Sequence, residues 1–296
     1  MVKYAAMDIS SRTKGIAAIT ASAFGFALMA AFVRLADDYG TPISSFQKSF
    51  FRNVIALMIA AVVFFRNREP SAHRPSAKVW GLLLLRSVSG GFGIFGNFYA
   101  LGQIPIGEAM TLNKTAPFFA VVFSWLFLRE KATLNRLLWL LLAFVGTMLV
   151  MKPGFQGADT FATVCALGGG LGAGIAYTCV RELGILKVNG AFIVLFFSAF
   201  STLACIPFMM ATGVDPMTFG QVLVMLGAGC GAALGQFGVT AAYRYAPPNE
   251  IAVFDYTNVV FTALLGFAFL SPRQVPDLLS VVGFALIVLA GVRSRR

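Results

Sequence analysis

Charged residues are scarce here: 12% of 296 positions are Asp, Glu, Lys or Arg, about half the share of a soluble domain. Histidine is scarcer, with His73 the single example. The four cysteines, Cys165, Cys179, Cys205 and Cys230, show no C-x-x-C spacing and lie in apolar stretches. They read as small packing residues rather than disulfides or metal ligands. Neither H-E-x-x-H nor G-x-S-x-G occurs, and in-span carboxylates are too few for a metal cluster. An intramembrane lipid-modifying enzyme would need such a nucleophile, base or metal set. No enzymatic activity, metal or cofactor is therefore expected.

Apolar sequence fills the space that charge leaves. The chain is 58% hydrophobic with a mean hydropathy of +0.81. Its length fits ten spans of roughly 20 residues each. They are placed at 15–36, 44–65, 79–101, 105–128, 134–151, 161–179, 190–211, 219–243, 250–270 and 276–292. The first stretch follows a short polar tail without a small-residue cleavage site, so it is expected to be a retained span rather than a signal peptide. The fold expected is an all-α membrane protein whose partners are the lipid bilayer and a small-molecule substrate.

A net charge of +11 would suit nucleic acid if the basic residues clustered. They do not. With both termini cytoplasmic, sixteen Lys and Arg fall in the inside segments and three, Arg34, Lys152 and Arg273, outside. This is the positive-inside bias of helical membrane proteins. It predicts a bacterial inner-membrane protein with cytoplasmic termini and no nucleic-acid partner.

The two halves echo one another. Residues 93–128 align on 235–270 at a constant offset of 142 with ten identities, among them Gly93/Gly235, Pro105/Pro247, Glu108/Glu250 and Thr115/Thr257. A weaker echo links Gly25, Val33 and Arg34 to Gly172, Val180 and Arg181. An odd number of spans per half inverts the second half, giving repeats over 14–152 and 153–296. Inverted repeats let secondary transporters build two alternating gates around one site.

Glycine gathers on the third, sixth and eighth spans. Small residues let helices approach closely in lipid; the same faces could bend during gating or serve a homodimer. Gly91–Gly96 fits G-x-G-x-x-G, but it lies inside a span rather than after a strand, so no dinucleotide is expected.

Charges inside spans are costly and normally face a bundle interior or a watery cavity. Lys114 and Asp255 are the deepest. Lys114 is nine residues beyond Pro105, about 13 Å down a helix, and Asp255 aligns with its neighbour Asn113. The two could present a cation and an anion to one central region, as a structural ion pair or as a coupling site. Asp255 is the candidate proton carrier. Arg86 is the best carboxylate or phosphate clamp, through its planar fork. Asn97, Tyr99, Asn113, Tyr177, Gln236, Tyr256 and Asn258 would complete a substrate site. Lys48, Arg52, Glu108 and Glu250 are secondary candidates, and the first two share a helix face.

The run Arg86–Leu101, then Ile104-Pro105, Glu108-Ala109, Thr115-Ala116-Pro117-Phe118 and Leu128-Arg129-Glu130, resembles the EamA-type drug/metabolite transporter superfamily. That resemblance implies a ten-helix inverted-repeat bundle, alternating access, and a cavity lined by the third, fourth, eighth and ninth spans. It supports Arg86, Asn97, Asn113, Lys114, Gln236, Asp255 and Tyr256 as cavity residues. One departure is that Glu130, closing the fourth span, meets Pro272 as its second-half counterpart. The function expected is secondary transport of an amino acid or organic anion, by exchange or proton coupling. Export of organic cations or drugs, or lipid scrambling, is the alternative.

Overall fold

The computed structural model describes residues 9–66, 76–154, 159–269 and 275–295; His73, Pro272 and Arg273 lie outside them. Twelve α-helices follow one another: α1 (Ile9–Leu35), α2 (Ser45–Arg66), α3 (Ala77–Gln103), α4 (Ile106–Asn113), α5 (Ala116–Leu128), α6 (Leu134–Met151), α7 (Thr160–Ile185), α8 (Gly190–Thr212), α9 (Phe219–Tyr245), α10 (Pro248–Ile251), α11 (Thr257–Phe269) and α12 (Leu278–Ser294). The described residues contain no strand. Among them nine stretches are long and apolar enough to cross a membrane, counting α4–α5 and α10–α11 as one each; α12 is a shorter apolar helix. These ten segments match the ten expected spans, and the chain is an all-α membrane protein.

Polar residues in the short links set where helices begin. Asp159 accepts from the backbone N–H groups of Phe161 and Ala162, and Asn189 from those of Ala191 and Phe192. Thr218 and Gln221 form a reciprocal capping box at α9. Each satisfies amide groups that a helix start leaves orphaned. Arg12 donates to the carbonyls of Ser294 and Arg295 at 2.8 and 3.0 Å, so the start of α1 and the end of α12 lie at one end of the bundle. Large side chains such as Phe127, Leu134 and Phe219 stay exposed, as a lipid-facing surface requires.

Packing crosses between the halves. α1 lies along α9 and α3 along α7, while α2 pairs with α8 and α6 with α12. Exchanging each span with the one five places on leaves this set unchanged. Glycines set the closest crossings. A Cβ added to Gly25 would come 2.6 Å from the nitrogen of Gly235. One added to Gly172, its counterpart, would come 2.5 Å from the Ser89 carbonyl and 3.3 Å from the nitrogen of Gly93. Only hydrogen fits at such backbone contacts. The glycine faces at these crossings are thus filled within the chain.

Candidate functional site

Two spans expected to be continuous are broken near their middles, and the breaks make the site. In the fourth span Pro117 has no N–H for the carbonyl of Asn113, so the helical ladder is interrupted there. The Lys114 amide reaches back to Met110 at 3.0 Å, whereas the Thr115 amide turns to Leu112 at 3.1 Å. The Thr115 hydroxyl donates to the same Leu112 carbonyl at 2.6 Å. In the ninth span α10 ends at Ile251 and a 3₁₀ turn runs through Ala252–Tyr256. There the Thr257 hydroxyl donates to the carbonyl of Phe254, again at 2.6 Å. Thr115 and Thr257 are repeat equivalents, so one device recurs in both halves. Hydropathy carries no signal for either break; Pro117 was the available clue to the first.

The breaks bring their polar residues together. Lys114 Nζ donates to Asn258 Oδ1 at 2.9 Å and lies 3.7 Å from Asp255 Oδ2. Asn258 Nδ2 donates to the Ala23 carbonyl at 2.9 Å, which ties the pair to α1. The Tyr256 hydroxyl donates to the Lys114 carbonyl at 2.9 Å, bracing one break against the other.

Lys114, Asp255 and Asn258 border a cavity of about 240 Å³. Of the residues singled out from sequence, Arg52, Arg86, Asn97, Asn113, Lys114, Tyr177, Gln236, Asp255 and Asn258 line it. Arg86 is buried on α3. Its Nη2 donates to Gln236 Oε1 at 2.9 Å, and its guanidinium carbon stands 3.4 Å from the centroid of the Phe197 ring. Nε and Nη1 have no hydrogen-bond partner. Arg52 on α2 sets Nη1 2.8 Å from Met29 Sδ, and its Nε is unpartnered. Neither arginine is within ion-pair reach of a carboxylate among the described residues.

The other candidates lie elsewhere. Tyr99 is exposed and packs edge-on against Phe161 at 5.4 Å. Tyr256 is fully buried behind the cavity wall, as the brace just described. Lys48 turns from the face it shares with Arg52 to pair with Asp37 at 2.5 Å. Glu108 is buried at the start of α4, on the side of Gly154. Glu250 pairs with Arg136 at 3.2 Å and Arg12 at 3.5 Å, at the end that carries both termini. Sequence reasoning missed Met29 and Phe197, because apolar partners of an arginine leave no trace in charge or hydropathy.

Below the cavity, towards that same end, α7 closes against α9 of its own half and against the end of α5 in the other. Tyr177 stacks on Tyr243 at 4.9 Å. Arg181 Nε pairs with Glu130 Oε1 at 2.8 Å, its Nη1 reaches the carbonyls of Tyr243 and Arg244 at 3.4 Å, and Ser124 donates to Glu130 Oε2.

The EamA-like transporter family model matches residues 13–152. The Pseudopaline exporter CntI of Pseudomonas aeruginosa strain UCBPP-PA14 is 31% identical over 284 residues, covering 95% of this chain and 96% of that protein. The chain belongs to the EamA-like transporter family. An uncharacterized transporter of Helicobacter pylori strain J99 is 27% identical over 94% of this chain and 93% of its own. The riboflavin transporter of Brucella anthropi is 27% identical over 85% of this chain and 88% of its own. A solved crystal structure superposes with a TM-score of 0.78 at 17% identity, covering 93% of this chain and 99% of that one, a likeness of fold alone. This EamA-like chain is an integral membrane, small-molecule transporter.

Proposed function

We propose that the chain is a secondary active transporter that moves a small polar metabolite, an amino acid or an organic anion, by alternating access. One observation carries this reading: a cavity at the junction of two broken helices, lined by Arg52, Arg86, Lys114 and Asp255. Discontinuous spans near the bilayer midplane place backbone and side-chain groups where a substrate and a coupling ion can meet. In the proposal Arg86, Arg52 and Lys114 give the cavity its attraction for acidic groups, while Asn97, Asn113, Tyr177, Gln236 and Asn258 orient the rest of the solute. Asp255 carries a proton when the substrate leaves Lys114, which makes transport sensitive to a pH gradient. Residues 14–152 and 153–296 are the two repeats that rock around this site.

Both termini are cytoplasmic in an inner membrane, because sixteen basic residues against three favour that side. The closed end at Arg181 and Glu130 is then the cytoplasmic gate. One relative is named as an exporter and another as a riboflavin transporter, so kinship leaves the substrate open and the cavity's chemistry must choose it.

Exchange in proteoliposomes tests the proposal. Vesicles loaded with a mixed amino-acid and organic-anion pool should take up a labelled member against its gradient, faster with an imposed pH difference. Asp255→Asn should remove the pH effect. Accumulation that is absent for every solute, or identical in vesicles without protein, overturns it.

A further inference from the structure

Resting on the transporter reading of this cavity, we infer that its ligand carries two separate ionised acidic groups, one seated by Arg52 and the other by Arg86. Dicarboxylates and acidic amino acids have this chemistry.

The charge balance comes first. Arg52, Arg86 and Lys114 bring three positive charges to the cavity and Asp255 one negative, leaving a net +2. Lys114 already has its counter-charge in Asp255 at 3.7 Å and a neutral acceptor in Asn258 at 2.9 Å. The uncompensated charge therefore sits on the two arginines. Both are more than nine-tenths buried and both keep unpartnered nitrogens. Their neighbours are a thioether, an amide oxygen and an aromatic face, none of which is an anion. Buried charges are normally paired, and a guanidinium fork is shaped to take a carboxylate through two parallel hydrogen bonds.

Separation decides between one anionic centre and two. Arg86 is anchored on Gln236 of α9. Arg52 is anchored on Met29 of α1, whose backbone nitrogen lies 2.7 Å from a Cβ built on Gly231 of α9. Gly231 and Gln236 are five residues apart, about 7.5 Å along the helix. Along α8, Phe197 lies under Arg86, whereas Cys205 accepts from Asn53, the neighbour of Arg52. Those eight residues span about 12 Å. The two forks are held at different depths, so a single phosphate cannot occupy both, while a short chain with an acid at each end can.

Thermal unfolding of the purified full-length protein in detergent tests this, because a ligand that binds the folded state raises the midpoint. The probes are the α,ω-dicarboxylates from malonate to adipate and L-glutamate. Their controls are butyrate, L-glutamine, inorganic phosphate and choline. At least one dicarboxylate or L-glutamate should raise the midpoint by about 5 °C near saturation, with an optimum chain length, and no control should match it. Arg52→Gln and Arg86→Gln should each abolish that rise. If either variant fails to fold, selectivity in the wild type alone decides. An equal rise with butyrate, L-glutamine, phosphate or choline overturns the inference, as does no rise across the dicarboxylate series. Accumulation only of solutes with a single acidic group or none in proteoliposomes would sink the two-acid ligand and leave transport standing. A dicarboxylate rise without flux would do the reverse.

Discussion

The fourth and ninth spans align at a constant offset of 142, yet they bring opposite charges to the same place. Each is interrupted just before an equivalent threonine whose hydroxyl satisfies the carbonyl three residues back. Pro117 enforces the first break, whereas position 259 is valine and a 3₁₀ turn makes the second. Charge differs too. Asn113 and Lys114 in the first half face Asp255 and Tyr256 in the second, so the cation and the anion sit on adjacent rather than equivalent positions. The equivalents Lys114 and Tyr256 touch where the Tyr256 hydroxyl donates to the Lys114 carbonyl, while Lys114 and the offset Asp255 form the ion pair. Symmetry supplies the scaffold here, and departures from symmetry supply the chemistry.

That contrast separates substitutions whose effects should match between halves from those whose effects should not. Gly25→Val and Gly172→Val attack the symmetric scaffold. Their new side chains would meet the Gly235 nitrogen at 2.6 Å and the Ser89 carbonyl at 2.5 Å. Backbone cannot yield as a side chain can, so the cost should reach or exceed the ~1–3 kcal/mol of ordinary overpacking. Both variants should lose their monodisperse peak in size-exclusion chromatography. Loss for one alone would break the equivalence.

Lys114→Met attacks the asymmetric chemistry and comes next. It strands Asp255 without its cation, and removing one member of a buried pair costs up to about 3–5 kcal/mol. Asp255→Asn should cost less, since Lys114 keeps Asn258 as an acceptor. Midpoints of thermal unfolding should rank wild type, Asp255→Asn, then Lys114→Met. The double variant should fall short of the summed losses. Equal single losses would mean that Asn258 contributes nothing.

A smaller effect is expected at the gate. Glu130 pairs with Arg181 at the end that carries both termini, and its repeat counterpart is Pro272. Only one end can use this latch. Glu130→Gln should leave the fold intact and speed maleimide labelling of the buried Cys179, two residues from Arg181, by several-fold. Mass spectrometry of the labelled peptide reads this, and an unchanged rate would show that Tyr177 and Tyr243 close that end unaided.

The smallest effect is expected at the opposite end. There Lys152 hydrogen-bonds Asp277 and, with Ser280, holds its carboxyl down at about 2. A lowered carboxyl stabilises the fold above its unfolded value and loses that contribution only as pH falls from about 4 towards 2. Asp277→Asn keeps a capping residue on α12 and should shift the midpoint least of the series, equally at pH 5 and pH 8. A shift that grows between those values would contradict the assignment.

Hydropathy and repeat alignment were enough to read the bundle. The fifth span, 134–151, coincides with α6, and the remaining spans differ mainly at their ends. The largest extension is instructive. The sixth span is expected over 161–179, yet α7 continues to Ile185 and takes in the charged Arg181 and Glu182. Arg181 is accommodated by Glu130, a partner 51 residues away. The site was half legible. Depth and charge pointed to Lys114, Asp255 and Arg86, all of which border the cavity. The helix breaks, the outward turn of Tyr99 and the bracing position of Tyr256 depend on backbone angles and side-chain direction, which composition and periodicity do not encode.

Substrate-induced current is the most direct test of the claim that this cavity carries the transport function. Wild-type protein would be reconstituted and adsorbed on a solid-supported membrane, then challenged with amino acids, organic anions, phosphorylated metabolites and organic cations, with Arg86→Gln beside it at equal folded amounts. A current confined to anionic or zwitterionic solutes, and lost in Arg86→Gln, is the predicted result. A current carried by organic cations alone, or one of equal size in both proteins, would contradict the account.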